Sequence, residues 1–209
     1  MTKRKKPEIS TRKQPQQARS MDLVNTILIA AIQVLAKEGA QRFTTARVAE
    51  KAGVSIGSLY QYFPNKASIL FRLQVEEWQQ TTQMLTNILE DTAKPPFDRL
   101  RELVHAFIKS ECDEADMRIA LEDAAPLYRD APEAKAVKSS GKRTVQRFMK
   151  EVLPTASAST RTIAGEMAVT TLTVVGKRFS ETPHTIEEIR VYSDAMADML
   201  CAYLRFLKG

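Results

Sequence analysis

Residues 44–63 hold the side chains whose types and spacing can do chemistry, and they read TTARVAEKAGVSIGSLYQYF. Hydroxyl and amide groups lie close to two glycines in this stretch, and no His, Cys or Asp is among them. Short polar side chains can hydrogen-bond to base edges in a DNA groove, and glycine lets a backbone approach its partner closely. The stretch therefore suits recognition of nucleic acid.

Catalytic patterns are missing from the rest of the chain. The sequence has two histidines, His105 and His184, and two widely spaced cysteines, Cys112 and Cys201. None of the patterns HExxH, CxxC or GxxxxGK[ST] occurs, and the Gly-Lys pairs at 141 and 176 lack the upstream glycine. Residues 53–57, GVSIG, fit GxSxG by spacing, but no strand is predicted before them, as a nucleophile elbow requires. We therefore predict that the protein is not an enzyme, and we expect no disulfide framework, metal site or cofactor.

Two short helices must position the polar groups of residues 44–63. Thr44 or Thr45 suits the N-cap of the first helix, Gly53 supplies a tight turn, and Ser55 caps the second helix. The inward side chains are expected to be Val48, Ala49, Ala52, Ile56 and Leu59. The outward positions of the second helix are expected to be Gly57, Ser58, Gln61 and Tyr62. This pattern predicts a helix-turn-helix, with a core helical hairpin as the alternative.

The charge of the chain is distributed unevenly. Residues 1–70 hold 12 Lys/Arg against 4 Asp/Glu, whereas residues 71–209 are net negative by two charges. A basic front end predicts a polyanionic partner for that part of the chain. Residues 1–20 have few large apolar side chains, so we expect a disordered basic tail. Lys5, Lys6 and Arg12 could track DNA beside the main contact, or they could only raise solubility.

The remaining sequence predicts an all-α fold. An apolar stripe starts near Met21 and recurs at helical spacing until Gly39, a plausible C-cap. Prolines are poorly tolerated inside helices, so the long intervals between them are read as helices. Those intervals are about 66–92, 97–111, 114–125, 133–152, 159–180 and 185–207. About nine helices would form a three-helix domain over 21–70 and a helical bundle over 71–209.

No membrane span is expected near the front of the chain. The uncharged run from Leu23 to Ala36 has 14 residues and includes polar ones, whereas a spanning helix needs about 20 apolar residues. The expected location is the cytoplasm.

The stretch from about Met21 to Leu73 resembles the DNA-binding domain of the TetR family of transcriptional regulators. The matching run is Ala31-Ile32, Leu35, Gly39, Phe43-Thr44-Thr45, Val48-Ala49, Ala52-Gly53-Val54-Ser55, Gly57, Leu59-Tyr60, Tyr62-Phe63, Asn65-Lys66 and Leu70. One departure is Ala67, where an acidic residue often follows the lysine. The resemblance covers about a quarter of the chain, and the rest is similar to the family only in length and helical character.

Both this resemblance and the chemistry of the residues place the second short helix in the major groove of DNA. The expected DNA-binding residues of the domain are Thr45, Arg47, Ser55, Gly57, Ser58, Tyr60, Gln61, Tyr62 and Lys66. Ser58 and Gln61 are short enough to reach base edges, while Thr45, Arg47 and Lys66 suit backbone phosphates. For Tyr60, packing against the first helix is an equally good interpretation.

A single helix-turn-helix buries little DNA surface, so specific binding predicts a homodimer. The two last helices carry stripes that suit a four-helix bundle between subunits, with ordinary packing within one chain as the alternative. The expected interface residues are Ala164, Ala168, Thr171, Val175, Ile189, Tyr192, Met196, Met199 and Tyr203.

The resemblance further implies a pocket for a small-molecule effector in the body of the protein. Candidate lining residues are Trp78, Phe107, Met117, Leu121, Tyr128, Phe148, Met149 and Met167, and plain core packing is the alternative for each. The leading hypothesis is a repressor that an effector releases from a palindromic operator. An activator of the same fold, or a non-specific nucleic-acid-binding protein that acts through its basic tail, are the alternatives.

Overall fold

The computed structural model describes residues 18–124 and 132–209, and within these ranges it contains nine helices and no strand. The helices are α1 (Ala18–Arg42), α2 (Thr45–Ala52), α3 (Ile56–Tyr62), α4 (Lys66–Leu89), α5 (Pro96–Asp113), α6 (Ala115–Ala124), α7 (Pro132–Val152), α8 (Ala158–Ser180) and α9 (Ile186–Lys208). The all-α prediction is confirmed. The prolines at 95, 96, 132, 154 and 183 lie at helix starts or in the connections, where the missing N–H costs nothing.

Helix α1 buries the apolar stripe that the sequence predicted. Its inward residues are Val24, Ile27, Leu28, Ala31, Val34 and Leu35. By length and hydropathy alone, the stretch Ser20–Gly39 could cross a membrane. A buried stripe on one face of a core helix gives the same composition. The helical backbone is interrupted at Gly39, where φ is +71°, a value that glycine adopts without strain.

The chain forms two compact units, and α4 takes part in both. The first unit comprises the described parts of residues 1–77 and 116–134, and the second comprises 78–115 and 135–209. The predicted division at residue 70 therefore differs from the division in the structure, which falls at Glu77 and places α6 with the first unit. Inside the first unit, a guanidinium nitrogen of Arg118 in α6 lies 2.9 Å from a carboxylate oxygen of Glu77 in α4. Both side chains are largely buried, so this ion pair ties α6 to α4.

The second unit is built around a core from α4, α5, α7, α8 and α9. Its buried side chains include Leu89, Leu103, Val104, Phe107, Ile108, Val145, Phe148, Met149, Leu172, Leu200 and Leu204. Helix α8 crosses α5 closely at Gly176, because a Cβ placed there would lie 2.8 Å from Cδ1 of Ile108 and 3.2 Å from the ring of Phe107. A larger residue at 176 would force the end of the Ile108 side chain, the ring of Phe107 or both to shift.

A buried arginine joins three helices of the second unit. Arg99 in α5 is almost completely buried, and its guanidinium donates to the carbonyl oxygen of Leu89 in α4 and to the carboxylate of Glu151 in α7. The guanidinium also lies 5.6 Å from the centre of the Phe148 ring. A buried charge is tolerated when it is paired and hydrogen-bonded, so this position fixes the ends of α4 and α7 on α5.

The two cysteines are free thiols, as the sequence predicted. Cys201 is buried in the core of the second unit. Cys112 is half-buried and packs against that core. Burial raises the pKa of both thiols, and raising it favours the unreactive protonated form at neutral pH. Both residues serve as small apolar core residues.

Candidate nucleic-acid interface

The turn between α2 and α3 is fixed by its capping residues. The Thr44 hydroxyl accepts a hydrogen bond from the backbone N–H of Arg47 at 3.3 Å, so Thr44 is the N-cap of α2. Gly53 ends that helix with φ +66°, in the left-handed region, and its N–H donates to the carbonyl of Glu50 at 3.1 Å. Ser55 then caps α3 by accepting from the N–H of Ser58 at 3.0 Å. The predicted helix-turn-helix is present at the predicted residues.

Helix α3 exposes a different set of side chains from the one that the sequence predicted. Ile56, expected to face inward, is 41% exposed, whereas Tyr62, expected to face outward, is only 6% exposed. Both expectations are wrong. Each of these residues lies three positions from the fully buried Leu59, which places them about 60° from it on opposite sides of the helix. The core covers the side of Tyr62, so the exposed face is Ile56, Gly57, Tyr60 and Gln61.

Among the residues that the structure describes, none requires a glycine at position 57. A Cβ at this position would meet only the Ser55 hydroxyl oxygen, at the ordinary contact distance of 3.8 Å. Its backbone is helical, and glycine in a helix costs about 0.5–1 kcal/mol relative to alanine. The bare backbone at 57 leaves room beside the exposed face of α3, and its role as a DNA contact stays a prediction.

Tyr60 connects the two helices by its hydroxyl group. The hydroxyl oxygen lies 3.0 Å from the Thr45 hydroxyl at the start of α2, while 40% of the tyrosine remains exposed. This hydrogen bond supports the interpretation in which Tyr60 packs against α2. The hydroxyl that accepts in this pair keeps its own hydrogen, which it can donate to a phosphate oxygen.

Two cations flank α3 in the chain, at the starts of α2 and α4. The guanidinium of Arg47 pairs with the carboxylate of Glu38, and its side chain is 41% exposed. Lys66 is exposed at the first position of α4. Surface ion pairs of this kind contribute little stability, so Arg47 can exchange Glu38 for a phosphate at small cost.

The start of α4 carries a cap that the sequence reasoning missed. The Asn65 amide oxygen accepts from the N–H of Ser68 at 3.0 Å, and the Ser68 hydroxyl donates to the Asn65 carbonyl at 2.6 Å. Asn followed three residues later by a hydrogen-bonding side chain was the available signal. Ala67 is buried, so its small apolar side chain suits a position where the family often has an acid.

The tail residues Lys5, Lys6 and Arg12 lie outside the described residues. The predicted effector-pocket residues are distributed over both units. In the second unit, Phe107, Phe148 and Met149 are buried core residues, Trp78 is half-buried, and Met167 is 54% exposed. In the first unit, Leu121 is buried and Met117 is half-buried, while Tyr128 lies outside the described residues. The pocket stays a prediction.

The structure separates the predicted interface residues into two groups. Ala164, Ala168 and Met196 are buried in the core of their own unit. For these three residues the structure favours the alternative, which is packing within one chain. Thr171, Val175, Ile189, Tyr192 and Tyr203 are half-buried, and Met199 is 50% exposed. Apolar side chains outside the predicted interface set stay exposed on α8 and α9, namely Ile163, Met167, Val169, Val174, Ile186, Val191 and Phe206. The missed signal was the heptad-like spacing of Ile163, Met167 and Val174, a row that lies one residue before that of Ala164 and Ala168.

Comparison with known proteins matches both parts of the chain. Residues 27–73 match the family described as "Bacterial regulatory proteins, tetR family", and residues 95–207 match the family described as "Tetracyclin repressor-like, C-terminal domain". The nucleoid occlusion factor SlmA of Vibrio campbellii is 36% identical over 83 residues, which are 39% of this chain and 42% of that protein. The match thus spans less than half of this relative.

Solved structures share the fold over most of the chain. A putative TetR-family transcriptional regulator from Mesorhizobium loti has a TM-score of 0.68 at 15% identity, over 90% of this chain and 98% of its own. The transcriptional regulator FadR from Bacillus subtilis, solved in complex with stearoyl-CoA, has a TM-score of 0.65 at 17% identity, over 84% and 96% of the two chains. At these identities the likeness concerns the fold alone.

Proposed function

Because the chain belongs to the TetR family of bacterial regulatory proteins, we propose that it binds operator DNA as a homodimer and represses transcription. The proposal assigns the first unit to DNA and the second to dimerisation and effector binding. It describes a regulator rather than an enzyme, and it places the protein in the cytoplasm, where the chromosome is.

One observation carries this proposal: the exposed face of α3 is built for contact and not for packing. Ile56, Tyr60 and Gln61 surround the bare backbone of Gly57, and no contact within residues 18–124 and 132–209 requires a glycine there. The capped turn holds α3 at a fixed angle to α2, as a reading helix in the major groove needs. Arg47 and Lys66 supply positive charge on either side in sequence for the phosphates.

The dimer part of the proposal is supported by the exposed apolar side chains of α8 and α9. Apolar residues that stay exposed on two long helices of one unit favour a partner surface. A twofold dimer presents two α3 helices, and these fit half-sites about 34 Å apart along the DNA. The operator is therefore expected to be palindromic.

The effector part of the proposal is supported by family membership and by one neighbour. The Bacillus subtilis FadR structure contains stearoyl-CoA. For this chain we propose a small-molecule effector in the second unit, bound near Trp78 and Phe107. Such a ligand releases the operator only if it binds the DNA-free arrangement of the dimer more tightly than the DNA-bound one.

Selection of bound duplexes from random DNA tests the function, followed by salt titration of the selected site against a scrambled duplex. We expect a near-palindrome, with a stronger affinity for it than for the scrambled duplex at every salt concentration. Equal affinity for both duplexes would exclude specific recognition.

A variant without residues 1–20 separates specific recognition from binding through the tail. A helix-turn-helix reader keeps its sequence preference and loses affinity, whereas a tail-only binder loses all binding. Transcription in vitro from a promoter that contains the selected site then distinguishes repression from activation.

A further inference from the structure

Ile56 is the apolar side chain on the exposed face of α3. It is the first residue of that helix and is 41% exposed, although isoleucine is among the residue types most often buried. The core takes Leu59 and Tyr62 instead, which lie about 60° and 120° from Ile56 around the helix. Ile56 therefore lies in the surface that the proposed function brings against DNA.

The composition of α3 excludes the commonest base contact. The helix reads IGSLYQY and contains no lysine or arginine, so it cannot make the bidentate contact that these residues make to guanine. What its exposed face offers is a branched alkyl group, a phenol and an amide. In the major groove, the 5-methyl group of thymine is the apolar feature of the base edges.

The neighbouring residues leave room for Ile56 to reach a base. Gly57 follows at about 100° around the helix and has no side chain to hold the backbone away from the groove. Tyr60 lies about 40° from Ile56, and its hydroxyl is hydrogen-bonded to Thr45 of α2. Ile56 thus stands at the edge of a bare strip of helix, with its branched side chain uncovered.

From these observations we infer that Ile56 is a specificity-determining residue that packs against the 5-methyl group of a thymine in each half-site. The inference rests on the proposed function, because it requires α3 to lie in the major groove. It adds to that function the base pair that this position selects, an A·T pair with its thymine methyl toward Ile56.

Replacement of thymine by deoxyuridine tests this inference, because deoxyuridine lacks only the 5-methyl group. In the selected operator each thymine and its symmetry mate are replaced in turn, and the affinity of the full-length protein is measured. For the wild type we expect one position at which the replacement weakens binding about fourfold per half-site, the factor for one methyl group leaving an apolar contact. The variant Ile56→Ala is expected to bind the thymine and deoxyuridine operators equally at that position.

The control is Ile29→Ala, which removes a 57% exposed isoleucine from α1 of the same unit. It is expected to keep the wild-type ratio between the two operators. If Ile56→Ala keeps that ratio as well, or if no position in the operator is methyl-sensitive, the inference is wrong while the proposed function stands. If no operator is selected at all, both are wrong.

Discussion

Single residues on α3 decide what the helix can contact. Neither the backbone conformation of Gly57 nor its described neighbours require a glycine. Its effect on the exposed face of α3 is that no side chain covers the backbone there. The hydroxyl oxygens of Thr45 and Tyr60 lie 3.0 Å apart, and this hydrogen bond joins α2 to α3. The exposed face of α3 thus has bare backbone at Gly57 and, close to it, a tyrosine that a hydrogen bond holds in place.

Gly57→Ala is expected to stabilise the protein and weaken operator binding. Alanine relieves the helix cost of glycine, about 0.5–1 kcal/mol, but its methyl group stands where DNA must approach. We expect about a tenfold loss of operator affinity, comparable with one mismatched base pair. Thermal unfolding and operator titration measure the two effects.

The matched control is Gly141→Ala in α7, where an added Cβ would also have only ordinary contacts, at 3.8 Å from Thr82. It should raise stability similarly without changing operator affinity. If Gly57→Ala leaves operator affinity intact, close approach of DNA at this residue is excluded.

Lys66→Gln is expected to weaken binding to all DNA sequences by a similar factor. A lysine that contacts one phosphate per subunit contributes about 0.9 to the salt slope, so a dimer should lose about two units of that slope. Titration of the operator and of a scrambled duplex over a range of salt concentrations measures it. Lys94→Gln, at an exposed lysine of the second unit that pairs with Glu102, is the control and should leave the slope unchanged.

At the scale of elements, the α2–α3 turn depends on backbone conformation more than on contacts. Gly53 has φ +66°, and nothing lies within 4 Å of the place where its Cβ would be. The glycine is therefore required by the left-handed conformation alone. The N-caps Thr44 and Ser55 fix the two helix starts on either side.

Gly53→Ala is expected to destabilise the helix-turn-helix by about 1–2 kcal/mol, the cost of a left-handed residue with a side chain. Hydrogen exchange of the amides in α2 and α3 measures the change locally, which matters in a chain with two compact units. Gly57→Ala, four residues later in the chain, should instead increase the protection of these amides from exchange. If protection falls equally in both variants, the left-handed backbone of Gly53 is not the reason for its glycine.

At the scale of the whole molecule, the exposed apolar residues of α8 and α9 are the surface through which we propose that two chains associate. Ala164 and Ala168 are used inside the second unit and are not available to a partner. Ile163, Val174 and Met199 are exposed on the same two helices. The proposed dimer interface therefore moves from the alanines to these side chains.

Met199→Glu is expected to shift the dimer toward monomers, because it places an unpaired charge in the proposed interface. Sedimentation at several protein concentrations measures the association, and circular dichroism checks that the helices remain. Ile29→Glu, at an exposed isoleucine of α1, is the control and should stay dimeric. A Met199→Glu protein that stays dimeric would place the interface elsewhere.

The sequence by itself determined the local structure of this protein. Thr44 or Thr45 was predicted as the first cap, Gly53 as the turn and Ser55 as the second cap. In the structure Thr44, Gly53 and Ser55 have these roles, because caps and turns depend on residues within four positions. The helical spans followed from apolar spacing and prolines for the same reason. The family of the DNA-binding domain followed from the resemblance of about Met21 to Leu73 to that family.

Only the tertiary structure decided which side of each helix is covered. Ile56 and Tyr62 lie at equal angles from Leu59, so periodicity could not tell which one the core would take. The same holds for Ala164 and Ile163 on α8, and for the grouping of α6 with the first unit. Burial depends on partners that are far away in the chain. When a helix has apolar residues on more than one side, its own sequence does not determine which side the core covers.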